Sequence, residues 1–235
     1  MHIQTRLFIG LLAAALAPCA PMPALHTGLA AQSTAAPASD SGTFVIRHGS
    51  DTVATEQFAR TETSLNGTLA IHNAKGTSQV YEAVVAPDAS VPLIEVTVRE
   101  SLDSGRVKGK IVQQARVIFK GDSAAVDDIS GRGLQTRVFG TERGVIPYLN
   151  LSFALLEQAV RRSRAVAPGS SVPAQVAFFN LGGGQTLDAK VSPLGTDSLT
   201  VAIGSVEFHL KVDPAGRVLG GRIPSQGVVV ERVGR

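Results

Sequence analysis

From Gly42 to its end the chain alternates short β-type runs with turn residues, and a single stretch departs from that rhythm. The clearest run is Val206–Val212, where Val206, Phe208, Leu210 and Val212 point one way and Glu207, His209 and Lys211 the other. Asp213-Pro214-Ala215-Gly216 then reads as a turn, because Pro fixes φ and Gly supplies a left-handed position. Thr43–Arg47 and Thr52–Phe58 flank Gly49-Ser50-Asp51 as a hairpin, and Asn66-Gly67 predicts a tight type I′ turn. Further strands are expected at Thr68–His72, Gln79–Ala86, Leu93–Glu100, Lys110–Lys120, Val176–Leu181, Thr186–Val191, Arg217–Ile223 and Val228–Val233. Sequential hairpins without long helical crossovers predict a mainly β fold: an antiparallel meander forming a curved sheet or half-barrel.

The departure lies at about 150–165, where Phe153, Leu156, Ala159 and Val160 recur at helical spacing. Asn150 or Ser152 caps its start, Arg161, Arg162 and Arg164 complement the dipole near its end, and Ala167-Pro168-Gly169 stops it. One amphipathic α-helix in a long meander is expected to cover a face or an open end of the sheet.

Ahead of the β domain, Arg6 precedes the apolar run Leu7–Ala17, and Pro18 breaks it, the order of a secretory signal peptide. The run is too short to span a bilayer. Cleavage is expected after Cys19 or Ala30, giving a signal over 1–30, a disordered Ala/Pro/Ser-rich segment over 31–41 and one β domain over 42–235. Localisation is therefore periplasmic or secreted. A lipoprotein anchored through Cys19 is the minor alternative, because Pro18 stands where Gly, Ala or Ser is usual. No later segment reaches membrane-spanning length.

With the only Cys in the leader, a catalytic thiol, a Cys-zinc site and an iron–sulfur cluster are excluded from the domain. Formal charge is +3, and its residues are interspersed, so no nucleic-acid partner is expected. His48, His72 and His209 carry no metal-site spacing, and His26 is expected in the cleavage zone or the tether. Asp122, Asp127 and Asp128 lack the alternation of a calcium loop and read as a polar turn between strands. Leu102-Asp103-Ser104-Gly105 reads as a turn without a nucleophile-elbow context, and Gly182-Gly183-Gly184 as a hairpin connection. No catalytic residue, cofactor or metal site is assigned. The remaining candidates are aromatic: Phe44, Phe58, Phe119, Phe139, Phe153, Phe178 and Phe208 are candidate linings for an apolar ligand within the curved sheet, against the alternative of simple core packing.

The stretch Gly42–Phe58 resembles the first hairpin of exported bacterial β-meander families of unknown function, and Lys211–Leu219, with its Asp…Gly-Arg turn, resembles their final hairpin. In plan these are similar to the periplasmic lipoprotein-carrier (Lol) proteins, whose helix-covered half-barrel binds acyl chains. The resemblance covers the two ends of the domain and implies no functional residue. The expected function is a monomeric, non-catalytic cell-envelope protein that binds a lipid or other apolar, envelope-derived ligand. An envelope protein–protein interaction or scaffold module is the alternative, and a hydrolase with an unrecognised site the third.

Overall fold

A computed structural model describes residues 40–72, 76–100, 109–130, 133–169 and 174–234. The expected leader, the Ala/Pro/Ser-rich segment up to Ser39 and the stretch Leu102–Gly105, expected as a turn, lie outside the described residues. Fifteen strands form one sheet: β1 Asp40–His48, β2 Asp51–Arg60, β3 Ser64–Ile71, β4 Thr77–Val84, β5 Leu93–Glu100, β6 Ile111–Lys120, β7 Ser123–Ser130, β8 Gly133–Gly140, β9 Ile146–Tyr148, β10 Ala174–Asn180, β11 Gln185–Pro193, β12 Ser198–Ile203, β13 Val206–Val212, β14 Val218–Ile223 and β15 Val228–Val233. One helix, α1, runs Phe153–Val166.

The strand order is β8-β7-β6-β5-β4-β3-β2-β1-β15-β14-β13-β12-β11-β10-β9. The first and last strands are therefore neighbours, Ile46 facing Val230, and two meanders run outward from that central pair. Every pairing is antiparallel except β9 with β10, which are parallel and joined through α1. This helical crossover departs from the sequence expectation, because three residues, Ile146–Tyr148, carry too little pattern to announce a strand.

The expected mainly β class, antiparallel meander and single helix are what the structure shows. The sheet is curved and open, not closed into a barrel. Its ends approach at one corner, where the Phe139 ring meets Phe179 edge-on at 5.9 Å and Thr186 Oγ1 lies 2.8 Å from Thr141 Oγ1. The Asp213–Gly216 turn forms as expected, with Gly216 at φ 84° and its amide donating to the Asp213 carbonyl at 2.9 Å.

Two turn expectations fail for tertiary reasons. Asn66-Gly67 lies inside β3, with Gly67 paired to Phe58 on one side and Tyr81 on the other. A Cβ at Gly67 would fall inside the Tyr81 phenol, so the glycine serves a close approach and not a turn. Only Gly121 and Asp122 form the turn before β7; Asp127 and Asp128 are strand residues, Asp127 accepting from Thr136 Oγ1 at 2.6 Å. Strands β7, β8, β9 and β12 were not foreseen.

The helix lies in the concavity. Ser152 caps it, its hydroxyl accepting from the Leu155 amide. Every residue from Phe153 to Val160 is buried, including Glu157 and Gln158. It is thus a buried core helix through its first two turns and more than a cover.

Candidate functional site

What holds the helix inside the sheet is a set of buried polar side chains. Along β2, Ala54, Glu56, Phe58 and Arg60 all point inward at the strand period of two. Glu56 is fully buried and accepts four hydrogen bonds: from Tyr81 Oη at 2.7 Å, Ser152 Oγ at 2.5 Å, and the Phe153 and Ala154 amides at 2.7 and 2.9 Å. The amides belong to the helix N-terminus, whose orphan donors and dipole favour a carboxylate. Burial still pushes the Glu56 carboxyl up from its ordinary value, against these four hydrogen bonds. Burial, then the neighbouring Glu56 charge, raises the Tyr81 phenol, which therefore stays protonated and donates.

One turn further along, Glu157 is the second buried carboxylate. It accepts from Arg60 Nη1, from Arg161 Nε and Nη2 at 3.3 and 3.2 Å, from Arg232 Nη1 at 3.2 Å and from the Val218 amide at 2.7 Å. Asp40 accepts from Arg232 Nη2 at 2.6 Å and stands 3.6 Å from Arg161. Burial first, then the Arg161 charge, pulls Arg60 down to about 9, so it remains a cation at neutral pH. The clasp ties β1, β2, β14 and β15, the centre of the sheet, to α1.

The seven candidate phenylalanines form three ring groups. Phe44 stacks on Phe58 at 5.3 Å and meets Phe153 at 5.9 Å, and Phe153 meets Phe208 at 6.3 Å. Phe178 packs on Tyr148, and Phe119 and Phe139 pack on Phe179. Open volume lies elsewhere. A cavity of about 440 Å³ sits at the C-terminal end of α1 beside β10–β13, and one of about 500 Å³ sits between α1 and the β2–β3 and β4–β5 loops. None of the seven phenylalanines lines either, and Arg164 lines both. Phe119 lines a smaller cavity of about 170 Å³, and Phe58 a shallow one of about 260 Å³.

His48 ends β1, His72 follows β3 with Nε2 3.3 Å from Thr55 Oγ1, and His209 is on β13, 3.4 Å from Glu207. Among the described residues no three His, Cys, Asp or Glu side chains come together as a metal site. No helix of the described residues is long and apolar enough to cross a membrane.

No protein-family model and no curated protein sequence matches the chain. Among solved structures it is similar to a DUF1089 family protein from Pseudomonas aeruginosa, at TM-score 0.52 and 12% identity, over 74% of this chain and 91% of that one. It is also matched to a β-barrel-like protein of the domain of unknown function DUF1849 from Brucella abortus, at TM-score 0.47 and 10% identity, over 82% of this chain and 95% of that one. At such identity the first likeness shows the fold alone: a β-meander of unknown function, as the hairpin resemblance implied. A lipoprotein-carrier layout does not follow from either.

Proposed function

We propose that this chain is an exported, non-catalytic cell-envelope protein that holds an apolar ligand beside α1, within the curved sheet. The observation that carries the reading is the cavity of about 440 Å³ between the helix end and β10–β13, walled by Ala174, Val191, Pro193, Leu199 and Val212. The ring-to-ring packing of the phenylalanines directs the ligand to this cavity and away from them. Export rests on Arg6 and the apolar run Leu7–Ala17; an intact mass of the mature protein checks it, and retention of the leader would refute it. For binding, the delipidated protein is titrated with decan-1-ol. A thermal upshift is expected, abolished by Leu199→Trp, which fills the cavity. An unchanged midpoint together with no organic-extractable molecule in the native mass spectrum would end this reading.

The interaction-module alternative has one specific support. Among the described residues edge strand β8 pairs only with β7, and it exposes Leu134 at 64% and Val138 at 70%. Crosslinking in envelope extracts tests it: a stoichiometric protein partner lost in Leu134→Lys/Val138→Lys favours this alternative, and no such partner disposes of it.

A further inference from the structure

The second cavity beside α1 differs in character from the first. Its about 500 Å³ are lined by Arg60, Gln158, Arg161 and Arg164, with Ala86 and Ala89 among the apolar residues. Around it the three guanidiniums of Arg60, Arg161 and Arg232 meet two buried or half-buried carboxylates, Glu157 and Asp40, and Arg164 stands beside them as a fourth cation. Among the described residues Arg164 reaches only backbone carbonyls, Pro214 O at 2.9 Å and Asp213 O at 3.5 Å. Glu62, an exposed carboxylate, also lines this cavity, and Arg217 is matched separately by Asp213 at 2.5 Å. The cluster is short of negative charge in a place where water is partly excluded.

A second observation points to a ligand. Arg60, 4% exposed, has an unpartnered Nε, and Gln158, 1% exposed, has an unpartnered Oε1, while Asp40 Oδ2 in the same cluster also lacks a hydrogen bond. Buried polar groups left unmatched cost about 1–3 kcal/mol each and are rare in native folds. Desolvation of Arg60 and Arg161, each pulled below the ordinary guanidinium range, has the same sense, because an anion would offset it. The first cavity is unsuited to that anion, since it lies at the carbonyl end of α1, the negative end of the helix dipole.

We infer that the cavity lined by Arg60, Gln158, Arg161 and Arg164 receives an anionic oxyacid group of the phosphate monoester kind. Arg164, common to both cavities, makes this the headgroup position for a molecule whose chain occupies the first; that part rests on the reading proposed above. Guanidinium forks match phosphate oxygens geometrically, and nearby arginines favour the dianion of a phosphomonoester.

Isothermal titration of the purified protein with decyl phosphate, decan-1-ol and inorganic phosphate, at one ionic strength, separates the sources. Decyl phosphate is expected to bind at least tenfold more tightly than decan-1-ol. Arg161→Gln, at a residue that lines the second cavity and not the first, should bring decyl phosphate close to the alcohol without moving the alcohol, with unchanged circular dichroism as the check on folding. Equal affinity for the two amphiphiles overturns the anion site and leaves the apolar reading standing. Inorganic phosphate bound and lost in Arg161→Gln, with neither amphiphile bound, supports the anion site and overturns the apolar reading. No binding of any of the three overturns both.

Discussion

Replacing Glu157 by Gln keeps shape and one acceptor but removes the charge on which three guanidiniums converge. Arg60 is 4% exposed and Arg232 7%, so neither can turn to water without disrupting the β1–β15 centre of the sheet. Breaking a buried pair by removing one partner costs about 3–5 kcal/mol, because an uncompensated charge stays behind. That is a large share of the roughly 5–15 kcal/mol that holds a domain folded. For a domain of this size it corresponds to a fall in Tm of about 10 °C. Urea unfolding followed by far-ultraviolet circular dichroism measures it, with Glu207→Gln as reference. Glu207 is 63% exposed and pairs only with His209, so its loss should stay within about 0.5 kcal/mol. The double variant Arg60→Met/Glu157→Leu should recover part of the stability, since Arg60 is no longer left unpaired while Arg161 and Arg232 keep Asp40. A loss below about 1 kcal/mol in Glu157→Gln would refute the clasp as the element holding the helix.

Gly67→Ala, a change inside a strand where alanine is ordinarily tolerated, should destabilise by about 3 kcal/mol, since the new methyl overlaps the buried Tyr81 ring that donates to Glu56. A loss under about 1 kcal/mol in urea unfolding would contradict that packing. Because the folded pKa of Glu56 is raised above its unfolded value, its contribution is full below about 4.5 and declines as pH rises toward the folded value. Glu56→Gln stays neutral, so the stability gap between the two proteins should be widest at acid pH and narrow upward. Asp88 and Asp213, whose carboxyls are held low, are common to both proteins and cancel in that difference. A gap that widens from pH 4 to 8 would reverse the assignment. Ser152→Ala removes both the helix cap and a donor to Glu56 and should cost about 1–2 kcal/mol, read in the same unfolding series.

Some of the clasp is legible in the sequence. Ala54, Glu56, Phe58 and Arg60 share one parity of β2, as Val228, Val230 and Arg232 share one parity of β15. The period of two thus turned two cations and a carboxylate toward the core. Glu157 and Gln158 sit within the apolar octet Phe153–Val160, the pattern of a helix buried on more than one side. Reading that helix as an amphipathic cover hid them. Asn66-Gly67 misled for the opposite reason: its local preference for a turn was overridden by a neighbouring strand that needed room for a phenol.

Alternation and turn chemistry, both local, determined the strands around Gly49 and Asp213, the single helix with its Ser152 cap, and the antiparallel class. The cavities and their charge were decided only by the tertiary structure. Glu157 and Arg60 are 97 positions apart, and Asp40 and Arg232 are 192 apart. Side-chain parity says which face a residue takes but not which charge stands opposite it. That is fixed by the pairing of the first strand with the last, which curves the sheet around α1 and gathers distant arginines on two carboxylates.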